Sequence, residues 1–476
     1  MSFLPRTISL GATALPLLAS GCVLFGTDED DLPAQDTLGQ VSQIALGRKH
    51  SCAMGKDGTL RCWGLNDVGQ LGDGTKIDRS TPVPVRSEPD GPPLTGVQAL
   101  ALGGYHSCAL LEGGTVQCWG ANGLGQLGDG TTSNRNTPVP VRSAPNGPLL
   151  TGVLALALGG SHSCALLEGD TVQCWGANGY GQLGDGERFE EGSPVYQSTP
   201  VSVRSGPEGA PLTGVQALAL GYDHSCALLG GTVQCWGANG YGQLGDGMTS
   251  HRRSTPVPVV SAPKGPSLTG VRDLALGGYH SCALLDDGTV RCWGYNGSGQ
   301  LGNGTTSNWS STPLLVRSEL GGAPLAGVQA LALGGSHSCA LLEGGTVQCW
   351  GDKSAWGRFR ADLGNELITS GTTTVRLLLT EVRAFALGDD HSCAVLDEGT
   401  VRCRGSNEKG QLGVSTASTP RVTAPVVLEL YRPSVIRRGS GGGAGPFLAA
   451  SSAGGISDSP HRNRAADSCR PPSRGA

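Results

Sequence analysis

The chain has 476 residues and a net charge of −5, with only 15% charged residues and no basic stripe, which excludes an electrostatic nucleic-acid binder. Glycine supplies 78 residues, a composition of short strands and turns rather than helices. Sixteen cysteines are too many for a reducing compartment unless they bind metal or carry redox chemistry.

In chain order, residues 1–22 read as an export segment. Arg6 gives a weak positive start, and Ile8 to Leu18 is an apolar run too short to span a bilayer as a mature helix. The run ends in Leu18-Ala19-Ser20-Gly21-Cys22, which resembles the lipobox of bacterial lipoproteins. That resemblance implies lipid on Cys22, anchoring at the membrane surface rather than through it, and, with Val23 following, an outer-membrane or cell-surface address. Residues 23–40, with the acidic run Asp28-Glu29-Asp30-Asp31, read as a solvated linker.

From Val41 the chain repeats. A His-Ser-Cys triplet recurs seven times, with cysteines at Cys52, Cys108, Cys164, Cys226, Cys282, Cys339 and Cys393, at intervals of 56, 56, 62, 56, 57 and 54 residues. The copies begin near 41, 97, 153, 215, 271, 328 and 382. Each opens with a V-x-x-L-A-L-G-like strand, followed by the His-Ser-Cys strand and a Cys-Trp strand. Most copies then carry an N-G-x-G-Q-L-G-D-G-like loop and a T-P-x-x-V segment. Four short strands in each of seven copies predict an all-β, seven-bladed β-propeller over 41–436, since radial closure protects sheet edges that a linear stack exposes. Copies six and seven depart from the pattern. Residues after Trp350 lack the Gln-Leu-Gly loop apart from a trace at Asp362-Leu363-Gly364, and Arg404 stands where the other copies have tryptophan. Residues 437–476, rich in Gly, Ser, Ala, Arg and Pro, read as a disordered tail containing Cys469.

The motifs V-Q-A-L-A-L-G-G-Y-H-S-C-A-L at Val97–Leu110 and V-Q-C-W-G-A-N-G-L-G-Q-L-G at Val116–Gly128 resemble the repeats of the regulator of chromosome condensation family. The resemblance runs from about Val41 to Val427 and implies a seven-bladed propeller. For function it implies several things, because such propellers serve as exchange factors, inhibitors and binding platforms.

Fourteen cysteines form one pair per copy. Folding Cys108–Cys118 about Gly113 sets Leu111 against Thr115, Leu110 against Val116 and Cys108 against Cys118, within disulfide reach. In copy four the spacing falls to nine, but a two-residue Gly230-Gly231 turn restores the register. The predicted disulfides are Cys52–Cys62, Cys108–Cys118, Cys164–Cys174, Cys226–Cys235, Cys282–Cys292, Cys339–Cys349 and Cys393–Cys403. A metal reading, with His106 joining Cys108 and Cys118, offers three ligands where a structural zinc site wants four, so no metal is expected.

The seven histidines from His50 to His391 point to a hydrogen bond repeated in every blade, because a catalytic histidine is normally singular. The tryptophans are expected between blades and the Leu-Gly-Asp-Gly aspartates in turns. No triad, paired-carboxylate site, phosphate loop or cofactor motif stands out, and no blade shows an unmatched polar cluster of the kind an enzyme needs. Positions that differ between copies are the candidates for binding: Tyr105, Tyr180, Phe189, Tyr196, Tyr222, Tyr241 and Tyr279. The expectation is a monomeric, non-enzymatic, surface-tethered scaffold for a protein or cell-envelope polymer. The resemblance also implies an inhibitor, since secreted members of the family include one that blocks β-lactamases. A glycan-active enzyme is a further alternative.

Overall fold

In the computed structural model of the protein, the described residues are 41–187, 195–319, 321–352, 375–377, 382–396, 401–414 and 424–426. All lie in the larger of two compact units, Leu38–Ala476. They form seven four-stranded antiparallel sheets, each made of consecutive strands. Blade two shows the plan: Val97–Leu102, His106–Leu111, Thr115–Gly120 and Arg135–Pro140 run in order from the axis outward. Blades six and seven keep four strands, their outer ones being Val375–Leu377 and Ala424–Val426. In blade four the inner strand is shorter than its motif and starts at Ala217 rather than Val215.

The first strands of successive blades adjoin around the axis, and that of blade one adjoins that of blade seven. Among the described strands the ring therefore closes by side-to-side packing, each sheet drawing its four strands from one copy. The core lies between blades rather than within them. Between blades one and two, Cys52, Cys62, Leu71, Val85 and Leu94 pack on Val97, Leu100, Leu102, Ala109 and Trp119 of the next blade. The same cluster recurs around the ring, and its apolar burial is the main stabilising term.

One polar clamp accompanies six of the seven joints. Ser107 Oγ donates to Gln70 O at 3.0 Å, and Trp119 Nε1 donates to the same carbonyl at 3.0 Å, so blade two grips the Gln-Leu-Gly loop of blade one. His50 Nε2 lies 3.0 Å from Ser107 Oγ. Because that hydroxyl spends its proton on the carbonyl, the imidazole is the donor. At the closure, Trp63 Nε1 and Ser51 Oγ donate to Gln411 O, and His391 Nε2 lies 2.9 Å from Ser51 Oγ. All seven histidines are fully buried, and burial above all lowers their pKa, to about 3 for His106 and about 4 for His337. His50, His106, His162, His224, His280 and His391 each meet the serine of the next blade and are neutral structural donors, as their repetition indicates.

The seven disulfides form at the expected pairs, with Cα atoms 4.0–4.1 Å apart. The register is the one read from the hairpin: Leu111 faces Thr115, and in blade four Leu229 faces Thr232. Gly230 and Gly231 both take positive φ, 54° and 78°, the backbone of a two-residue hairpin turn. Every cysteine of these pairs is oxidised and so none is a free thiolate ligand.

Candidate interaction face

The up-and-down order of strands puts two sets of loops at one end of the ring. The loops after each first strand line the axis, and the loops after each third strand form the rim. The second position of the axial loops reads Arg48, Gly104, Gly160, Tyr222, Gly278, Gly335 and Asp389 around the ring. Backbone hydrogen bonds join these loops. Arg48 N donates to Gly104 O at 3.3 Å, Tyr222 N to Gly278 O at 3.2 Å and Gly278 N to Gly335 O at 3.2 Å.

The three side chains in that set converge. Arg48 Nε lies 3.0 Å from Asp389 Oδ2, and the Tyr222 hydroxyl donates to Asp389 Oδ1 at 3.1 Å. Tyr222 belongs to blade four and Asp389 to blade seven, so this contact crosses the axis. Arg48 Nη1 also donates to the Tyr105 hydroxyl at 2.6 Å, with the guanidinium carbon 5.4 Å from the Tyr105 ring centre. The intervening glycines make the room: a Cβ on Gly278 or Gly335 would lie 2.7 Å from the ring or hydroxyl of Tyr222. Burial, then the Asp389 charge, raises the Tyr222 phenol far above its ordinary pKa, so it stays a proton donor. This is an unmatched polar cluster, contrary to the sequence reading. Three rare residues at one repeat position were the available signal, but only the ring geometry brings blades one, four and seven together. Its members engage one another at the axial end of the ring.

Tyr222 is only 9% exposed, so it belongs to this axial cluster and not to an exposed contact set. Tyr105 is half-buried against Arg48. Tyr180 and Tyr241 are 48% and 41% exposed, Tyr196 is at the rim, and Tyr279 is partly buried. Phe189 lies outside the described residues. The structure brings Tyr222, Tyr241 and Tyr279 together with Tyr295, which the sequence reading did not single out. Ring centres lie 4.9 Å apart for Tyr222–Tyr279, 5.5 Å for Tyr241–Tyr279 and 5.0 Å for Tyr241–Tyr295, in tilted or edge-on pairs. Seven of the chain's eight tyrosines are at this end; the eighth, Tyr431, is outside the described residues.

Exposed large apolar side chains follow the same bias. Ile77, Tyr180, Val195, Tyr196, Tyr241, Met248 and Trp309 belong to the rim loops, while Leu149 is at the opposite end. The rim aspartates are turn residues, as expected. Asp73 accepts from Asn66 Nδ2, Thr75 N and Thr75 Oγ1, and pairs with Arg79 at 2.9 Å. Burial alone would raise its pKa, but these bonds outweigh burial and lower it. Asp129 with Arg135 and Asp246 with Arg253 repeat the pair. Among the described residues no group of His, Cys, Asp and Glu is arranged to hold a metal ion.

Fold and face together define a disulfide-braced tandem-repeat propeller with its described tyrosines gathered at one end. The chain belongs to the RCC1-like domain family: residues 92–447 match that domain, and residues 41–70 and 57–110 match the regulator of chromosome condensation (RCC1) repeat. It is similar to the mitochondrial RCC1 domain-containing protein RUG3 of Arabidopsis thaliana, 32% identical over 317 residues, or 65% of this chain and 64% of that protein. The ultraviolet-B receptor UVR8 of the same plant is 28% identical over 375 residues, 78% of each chain. The human E3 ubiquitin-protein ligase HERC2 is 31% identical over 308 residues, 63% of this chain but 6% of the ligase. Among solved structures, yeast RCC1 (Prp20) bound to Kap60 superposes with a TM-score of 0.58 at 22% identity, over 86% of this chain and 91% of that one. Human WBSCR16 does so with a TM-score of 0.58 at 24% identity, over 78% and 93%. At those identities the superpositions establish the fold alone.

Proposed function

We propose that the protein is a non-enzymatic binding platform, held at an outer-membrane or cell surface by lipid on Cys22, that engages a partner protein or cell-envelope polymer through its tyrosine-bearing end. The observation that carries this is the one-sided distribution of exposed large apolar side chains among the described residues, seven at the rim-loop end against Leu149 at the other. Tyrosine and tryptophan on a rigid scaffold supply contact area at low conformational cost. The axial cluster supports a non-catalytic reading, because Arg48, Asp389, Tyr222 and Tyr105 are engaged with one another. An inhibitor is the form this function takes when the partner is an enzyme.

The test immobilises the full chain and a Tyr180→Ser, Tyr241→Ser, Met248→Ser, Trp309→Ser variant, and exposes both to envelope extract and to a purified β-lactamase. The platform reading expects a ligand kept by the native chain and lost by the variant. Equal retention by both chains overturns it, and β-lactamase capture selects the inhibitor form. Lipid mass on Cys22 in membrane-fraction protein, absent from Cys22→Ser, tests the anchor.

A further inference from the structure

Asp223 occupies, in blade four, the loop position that Tyr279 occupies in blade five. It is a largely buried carboxylate whose hydrogen-bond donor is Gln182 Nε2 at 3.3 Å. Among the described residues no ion pair joins it to lysine or arginine. Arg252, whose guanidinium reaches the neighbouring loop, donates to Gly179 O at 3.0 Å, and Arg253 is taken by Asp246. Burial without a compensating cation raises the Asp223 pKa to about 6.

Loops that carry tyrosines adjoin this carboxylate: Gln182, which donates to it, also accepts from Tyr180 N at 2.9 Å, and Tyr222 N, next to Asp223, donates to Gly278 O, next to Tyr279, at 3.2 Å. By blade equivalence Tyr180 stands to Asp223 as Tyr241 stands to Tyr279, whose rings are 5.5 Å apart. Burial, then the Asp223 charge, raises the Tyr279 phenol above its ordinary pKa, with Tyr241 and Tyr180 contributing further. Tyr180 and Tyr241 remain about half exposed. An aromatic wall attracts a cation through its ring faces, and a desolvated carboxylate lacks only the opposite charge.

We infer that Asp223, Tyr180, Tyr241 and Tyr279 form a cage for a basic side chain, arginine or lysine, presented by the partner protein. The inference rests on the binding-platform reading and gives that partner its chemistry. An acidic or neutral segment leaves the carboxylate unpaired in its pocket, so the cage selects against it.

Calorimetric titration of the full chain with a capped tetra-arginine peptide, at about 0.15 M salt where long-range attraction is screened, tests the cage. The native chain is expected to bind it and to ignore tetra-glutamate. Asp223→Asn should weaken binding on the order of tenfold or more, and Tyr180→Ala or Tyr241→Ala several-fold, since each removes one element of a desolvated cation site. Glu168→Gln, the same charge change on an exposed turn at the opposite end, should leave it unaltered. Equal effects of Asp223→Asn and Glu168→Gln, or no binding by the native chain, overturn the inference. Asp223→Asn is near-isosteric, and its melting temperature verifies folding. Envelope capture separates the two readings. A partner still captured while tetra-arginine fails overturns the cage and leaves the platform. Peptide binding with no partner captured overturns the platform and leaves the cage.

Discussion

Gly103 shows why single residues recur in every repeat. A Cβ there would lie 2.3 Å from His106 Cε1 and 2.6 Å from Gly159 O of the next blade, and its equivalents Gly47, Gly221 and Gly388 are as tightly enclosed. Gly103→Ala is therefore expected to cost about 1–3 kcal/mol in chemical denaturation, the range for forcing atoms into a packed site. The buried histidines make a pH prediction. Their folded pKa of about 3 lies below the unfolded value near 6.5, so their stabilising neutral form is fully populated above pH 6.5. That stability drains away as pH falls toward 3, by about 1.4 kcal/mol per pH unit for each histidine. A melting temperature that stays level from pH 7 to pH 4 would contradict the neutral-donor account.

Asp273 has the opposite sign. It is buried on the inner strand of blade five where other copies carry Ala99, Ala155, Ala217 and Ala330, and burial raises its pKa to about 7. Its ionised form burdens the fold at high pH. Asp273→Ala is expected to raise stability above pH 7, with a gain that shrinks as pH falls from 7 toward 4. Denaturation midpoints at pH 8 and pH 5 check this.

At the scale of the element, the hairpin holding Cys108 and Cys118 is the most legible unit of the chain. Alternation in a strand has a period of two, so once the turn is placed the register follows, and a one-residue slip would turn the cysteines to opposite faces. The shortened turn at Gly230-Gly231 preserves the pairing for the same reason. Replacing Cys108 and Cys118 together by serine is expected to lower stability by about 2–3 kcal/mol in the loop-entropy account, without loss of the propeller's circular dichroism. A change near zero would show that packing in the joint, not the bridge, holds the hairpin.

At the scale of the molecule, the ring is a chain of equivalent joints with one exception. Six tryptophans bond the glutamine carbonyl of the preceding blade: Trp63, Trp119, Trp175, Trp236, Trp293 and Trp350. Arg404 takes the seventh place, so the joint between blades six and seven has no indole in its core. This relates the two irregular copies: the missing Gln-Leu-Gly motif of copy six is the partner motif for the missing tryptophan of copy seven. Stability in such arrays is a sum over units and their interfaces. Amide exchange is therefore expected to be faster in Val382–Leu387 and His391–Leu396 than in the matching strands Val271–Leu276 and His280–Leu285. Uniform protection in both pairs would show that ring closure makes the joints equivalent.

The sequence by itself determined the blade count, the strand order, the disulfide pairing and the structural role of the histidines. These are local or periodic properties: hairpin register is set within about ten residues, and a sevenfold repeat shows that a residue serves every blade. Tertiary structure alone decided which variable residues meet. Arg48, Tyr222 and Asp389 are separated by long stretches of chain and become neighbours only because closure brings their loops to one axis. The same closure buries Tyr222, leaves Tyr180 and Tyr241 open, and brings the rings of Tyr222 and Tyr241 against Tyr279 of the next blade. Distance along the chain carries no information about contacts across a ring, which is why the scaffold could be read in advance and its face could not.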